Sequence, residues 1–334
     1  MSMKSLMYVA PLRAAGPLRR GRALPSMVAL GLTLFGCGSK LPTGSEDSGG
    51  EEDGGDGGGA GGLAWEDLRL QSSASLTEAF ASGGGLYATA EDGRVYLRAE
   101  GAWTPIELDT NDALNGIWGR VDGASARVVA VGDSGAIAGF DGTAWTAANT
   151  LGSVNLESIA GLSEDNLIAV GWGGAFELVE GAWVVQTVPE TPQLNHVWTD
   201  GTVVVAVGQE GSIATRRAGT WTTITHESRK ALYGVSGTSP NDLWAVGEDG
   251  LLLHFDGGAW TEVPTGTTSS LWGVLARSPS EVIVVGSSGV AFRTDGVDIV
   301  DLPTGVNNNL YGLSVSIANV VGGVGSLGMP LRLY

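Results

Sequence analysis

The chain has 334 residues with 36 Asp and Glu against 18 Lys and Arg, a net charge of −18, and only one cysteine. Such an acidic surface repels phosphate backbones and anionic headgroups, which excludes nucleic acid as a partner. A lone cysteine excludes an internal disulfide, and three histidines without HxxxH or HxH spacing give no zinc site.

Residues 1–36 carry Lys4, Arg13, Arg19, Arg20 and Arg22 but no acid, and end in the apolar stretch ALPSMVALGLTLFG before Cys37. A basic start followed by an apolar run too short to span a bilayer comfortably reads as a signal peptide. Leu34, Phe35, Gly36 and Cys37 resemble the bacterial lipobox, which implies that Cys37 is lipidated and becomes the mature N-terminus. Gly38 in place of Asp favours the outer membrane by the sorting rule of those lipoproteins. Residues 37–62 follow, a Gly-rich acidic segment with almost nothing apolar, expected to form a disordered tether of ~25 Å reach. From residue 63 onward 30 acids face 12 bases, so membrane attachment is expected through the lipid only.

Residues 63–334 are a repeat array. Trp65, Trp103, Trp145, Trp183, Trp221, Trp260 and Ile299 each precede a leucine by eleven residues: Leu76, Leu114, Leu156, Leu194, Leu232, Leu271 and Leu310. A leucine period of 38 to 42 residues means one supersecondary unit copied around an array. In the clearest copy, from Leu232, the runs LYGV, DLWAV, LLLHF and AWTEV are separated by SPND, EDG and DGG. Short runs rich in Val, Leu, Ile and Trp between turn formers predict four strands. They lack clean alternation, so both faces of each sheet are expected to be covered by neighbouring blades. The second turn closes on Gly93, Gly135, Gly174, Gly211, Gly250, Gly289 and Gly328, a backbone requirement for positive φ.

The last copy stops at Tyr334 without a fourth strand, whereas LAWEDLRLQSSAS at 63–75 matches a fourth strand and its exit loop. The expected fold is therefore an all-β, seven-bladed β-propeller of four-stranded blades, its last blade closed by the N-terminal strand. The three predicted parts are the lipoprotein signal peptide (1–36), the lipidated cysteine and tether (37–62), and the propeller (63–334).

The pattern L-x-G-V…D-x-W-A-V-G-x-x-G-x-x-x-x-x-D-G-x-x-W resembles BNR-like, sialidase-related propeller repeats of the wider WD40/YVTN-like kind. It is similar also to repeats of the photosystem II assembly factor family. The resemblance covers Leu63 to Tyr334 and implies fold more than function. A sialidase Asp-box places Asp five residues before Trp after a leading Ser. Here Asp141 and Asp256 stand four before Trp145 and Trp260 and that Ser is absent, which puts sialidase activity in doubt. The assembly-factor resemblance implies a mode: a propeller that docks protein.

No GxSxG motif occurs, no calcium-type DxDxDG alternation occurs, and no catalytic residue, metal or cofactor is assigned. In propellers the loops between strands two and three, and from strand four to the next blade, open on one face around the central channel. The residue after each repeat leucine reads Thr77, Asn115, Glu157, Asn195, Tyr233, Trp272 and Tyr311, and these are expected to ring the channel mouth. Three neighbouring aromatics beside amide and carboxylate groups suit a sugar or a peptide. Packing between blades is the other use open to these rings. Trp172, in the GWGG turn, is a further candidate. The reading is of a non-catalytic, monomeric envelope lipoprotein, periplasmic or surface-facing, whose propeller binds a protein or glycan. The alternative is a glycoside hydrolase or lyase acting on envelope polysaccharide through loop carboxylates.

Overall fold

Four short apolar runs per repeat become four antiparallel strands, and the blade from Leu232 shows why. Its strands Leu232–Ser239, Asp242–Gly247, Leu252–Phe255 and Trp260–Glu262 lie side by side in chain order. Along the second strand, Leu243 and Ala245 pack with Val205 and Val207 of the preceding blade, while Trp244 and Val246 pack with Val282 and Val284 of the following one. Both faces of the strand are core, and for that reason it is apolar at every position rather than at alternate ones. The repeat leucines, Leu76 through Leu310, are all 0% exposed, each stabilising the fold by about 1.5–3 kcal/mol.

The computed structural model describes residues 65–333 apart from 69, 71, 83–84, 123–124, 150, 191–192, 316–320 and 327–328. The expected signal peptide, Cys37, the tether and Gly328 lie outside the described residues. Among the described residues no helix is long and apolar enough to cross a membrane.

Blades one to six occupy 76–106, 114–149, 156–186, 194–225, 232–262 and 271–301, each a sheet of four successive strands. The remaining four-stranded sheet takes three strands from 310–333 and its fourth, Trp65–Asp67, from the other end of the chain. There Trp65 faces Leu333 and Asp67 faces Leu331 in an antiparallel pair. The expected count of seven blades is corrected accordingly. Six blades are contiguous repeat units, and the last sheet is a composite of three strands from 310–333 and one from the other end, because the described residues after Asp301 supply no fourth. The innermost strands touch their neighbours in order, and Leu310–Val315 touches Leu76–Ser82. The circle is thereby closed.

The second hairpin turn explains its glycine. In Glu248–Gly250, Asp249 (φ 52°) and Gly250 (φ 73°) are both left-handed, and the Leu251 N–H donates to the Glu248 carbonyl. That is a type I′ turn, whose twist matches the strands it joins. A Cβ on Gly250 would also sit 2.0 Å from the Thr267 carbonyl oxygen, so the position demands glycine for two reasons. The preceding glycine, Gly247, has ordinary extended backbone but presses on the Ala231 carbonyl, 2.1 Å from where its Cβ would be.

Candidate functional site

The ladder slips at the start of every innermost strand. Register shifts fall between Leu114 and Gly116, Leu156 and Ser158, Leu194 and His196, Leu232 and Gly234, Leu271 and Gly273, and Leu310 and Gly312. Asn115, Glu157, Asn195, Tyr233, Trp272 and Tyr311 are thus each the extra residue of a β-bulge. A bulge frees its residue from the pairing pattern and re-aims the side chain. In the first blade the slip runs from Leu76 to Ala79 and takes in both Thr77 and Glu78.

These residues divide into ties and displayed groups. The Thr77 hydroxyl donates to the Leu114 carbonyl (2.6 Å), the Asn115 amide to the Leu156 carbonyl (3.0 Å) and the Asn195 amide to the Leu232 carbonyl (2.7 Å). Each acceptor belongs to the next blade, so these three polar groups stitch blade to blade. The Asn115 amide also donates to Asp133 (3.0 Å). Asn115 therefore makes two N–H donations within the ring and Asn195 one.

The three aromatics come together. Tyr233 and Trp272 stack with centroids 4.2 Å apart and planes at 28°, and Trp272 meets Tyr311 edge-on at 5.7 Å. The Trp272 indole donates to the Ser287 hydroxyl (2.9 Å), which fixes the middle ring. All three are partly exposed. They form one continuous aromatic surface over two blades and the composite sheet. Burial raises the Tyr233 hydroxyl pKa, and the charges of Glu248 and Asp249 add to the effect.

Opposite lies the acidic part of the mouth. Burial raises the Glu157 carboxyl pKa, and the nearby charge of Asp133 raises it further. The indole N–H of Trp172 donates to Glu157 and works the other way. Trp172 is 54% exposed in its turn. Among the described residues, Asp133 and Glu157 form no ion pair with Lys, Arg or His.

One pair was not singled out in the sequence. Glu78 of blade one and His196 of blade four meet at 3.5 Å, although their blades are not neighbours. The contact must therefore cross the channel. Both side chains line an axial cavity of about 240 Å³. The Val235 N–H donates to His196 Nδ1 (3.4 Å), which leaves Nε2 as the nitrogen facing Glu78. The column two after each leucine reads Glu78, Gly116, Ser158, His196, Gly234, Gly273, Gly312. Two ionisable residues among glycines and a serine were the available signal.

On the opposite face, the aspartates of the D-G turns are structural. Asp141 Oδ1 accepts from the N–H groups of Thr143 and Ala144, both 2.8 Å, and Asp256 Oδ1 accepts from Gly258 (2.9 Å) and Ala259 (3.2 Å). The Thr143 hydroxyl and these backbone donors hold the Asp141 carboxyl down at about 2. The repeat tryptophans begin the outer strands. Trp183 and Trp221 are buried, Trp65, Trp103, Trp145 and Trp260 are partly buried, and all six pack into the core clusters between blades.

No protein-family model and no curated protein matches the chain. Among solved structures it is similar to YCF48 from Cyanidioschyzon merolae, at 15% identity and TM-score 0.66, over 81% of this chain and 99% of that one. It is similar also to YCF48 bound to D1 peptide (17%, 0.65, over 80% and 96%) and to streptogramin B lyase (14%, 0.71, over 81% and 97%). Likeness at this level of identity establishes the β-propeller fold.

Proposed function

We propose that the chain is a non-catalytic, lipid-anchored envelope protein whose BNR-like propeller docks a segment of a partner protein at the channel mouth. The observation that carries this reading is the contiguous surface of Tyr233, Trp272 and Tyr311, raised on bulge residues and partly exposed. Aromatic faces supply large contact area at low conformational cost, and the polar ties of blades one, two and four keep the rim rigid. A solved propeller of the same fold holding a peptide supports the mode. Cys37 and the acidic tether support attachment to the envelope by lipid, with the propeller free to turn.

The test is capture from solubilised envelopes by the full chain, beside a Tyr233→Ala/Trp272→Ala/Tyr311→Ala variant of matched melting temperature. A discrete protein held by the parent and lost by the variant is expected. Equal capture by both would remove the mouth as the docking site, and recovery of a polysaccharide instead of a protein would replace the partner class.

A further inference from the structure

We infer that the outer edge of blade four takes an extended segment of a partner protein as a fifth, antiparallel strand, with apolar residues at alternate positions and an acid near its C-terminal end. This surface lies on the rim, apart from the mouth, and does not depend on docking there.

The outer strands differ in what keeps them from pairing. Trp65–Asp67, Trp260–Glu262 and Ile299–Asp301 have three residues each and carry acids, and Ala102–Ile106 carries Pro105. Short length, charge and proline are the devices that protect a sheet edge. Thr220–Thr225 has none of them and, at six residues, is the longest outer strand among the described residues. The His226 N–H donates to the Gly211 carbonyl at its end, so Ile224, Thr222 and Thr220 bond inward to the third strand. Trp221, Thr223 and Thr225 therefore turn their N–H and C=O groups outward. Among the described residues no backbone group bonds them there.

What lies beside that edge selects the occupant. Ile213, Thr215, Thr222, Ile224, Phe255 and Trp260 line a groove of about 760 Å³ between blades four and five. Ile224 is 54% exposed, and Phe255 and Trp260 are partly exposed. A strand paired to the edge sets alternate side chains over this groove, and apolar ones bury its surface. Arg217 lines the same groove where the outer strand begins. It is exposed, donates to the Pro240 carbonyl (3.2 Å) and has no acidic partner among the described residues. An antiparallel segment ends beside Arg217, which places its acid there. A second copy of this chain is disfavoured, since each carries a net charge of −18. Residues 37–62 are Gly-rich and acidic and hold no alternating apolar run.

The experiment is a fluorescence anisotropy titration of the full chain with N-terminally labelled Ser-Val-Thr-Ile-Thr-Leu-Ser-Glu amide. In the paired strand its threonines fall opposite the outward groups, and its Val, Ile and Leu fall over the groove. N-methylation of both threonines is expected to weaken binding about tenfold or more. N-methylation of Ile and Leu, whose N–H groups face solvent, is expected to leave it unchanged. Thr223→Pro removes one outward N–H at an edge position that tolerates proline and is expected to cost about tenfold. Arg217→Gln is expected to cost about two- to fivefold with this peptide and nothing with its glutamine counterpart. The Tyr233→Ala/Trp272→Ala/Tyr311→Ala variant is expected to bind as the parent does.

Equal binding of the two N-methylated peptides, or no binding of any peptide, overturns the inference. So does loss of binding in the triple variant, which would put the peptide at the mouth. A parent dimer in sedimentation that Thr223→Pro returns to monomer would assign the edge to a second copy and overturn it as well.

Discussion

Glu78 and His196 join two blades that are not neighbours in the ring, with His196 Nε2 3.5 Å from the Glu78 carboxylate across the channel. The wide bulge that takes in both Thr77 and Glu78 places Glu78 there. The tie braces the ring from within. A double-mutant cycle on Glu78→Gln and His196→Gln is expected to show coupling of about 0.5–1.5 kcal/mol in urea unfolding at neutral pH. Additive effects would show that the two merely sit close together.

Glu157 makes stability depend on pH in an unusual direction for a carboxylate. Its pKa is raised in the folded protein above the ordinary 4.5, so the folded state holds the proton more tightly than the unfolded chain. Its contribution is therefore full below 4.5 and is lost as pH rises through the folded value. Glu157→Gln is expected to raise the melting temperature relative to the parent at neutral pH, with the difference vanishing well below 4.5. A variant less stable than the parent at neutral pH would contradict this.

Asp141 has the opposite sign. Held down at about 2 against the usual 3.8, it favours folding above 3.8, and that contribution is lost as pH falls toward about 2. Asp141→Ala is expected to lower the melting temperature at neutral pH and to match the parent near pH 2. It should leave partner capture unchanged, because the turn lies on the face away from the mouth. Loss of capture by a folded Asp141→Ala variant would reopen a role for this turn in binding.

Two glycine replacements separate crowding from backbone strain. Gly247→Ala drives a Cβ to 2.1 Å from the Ala231 carbonyl and is expected to cost about 3 kcal/mol or more. Gly101→Ala meets nothing within 4 Å and bears only the strain of φ +84°, about 1 kcal/mol. Denaturant midpoints of the two variants provide the comparison.

The strands, their order within a blade and the pairing of the chain's ends were legible because period, turn residues and the leucine anchors are local. Leu243-Trp244-Ala245-Val246 read as a strand covered on both faces, and it packs against a blade on each side. The residue after each leucine was legible as a column. Its placement on a bulge was not, since a one-residue slip leaves no mark in composition. Nor was it visible that Asn115 and Asn195 bond carbonyls of the next blade. The meeting of Glu78 with His196 depends on ring curvature, which no single repeat encodes. The blade count needed correction because a repeat split between termini has no contiguous unit of its own.

Docking at the mouth is tested most directly by placing a photo-crosslinking amino acid at Trp172, on the mouth face, and in a separate full chain at Val297. Val297 is 86% exposed in the Asp295–Asp298 turn of the opposite face. Illumination in intact envelopes is expected to join one discrete protein to the chain from Trp172 and none from Val297. Crosslinking from Val297 with none from Trp172, or equal yields from both, would contradict docking at the channel mouth.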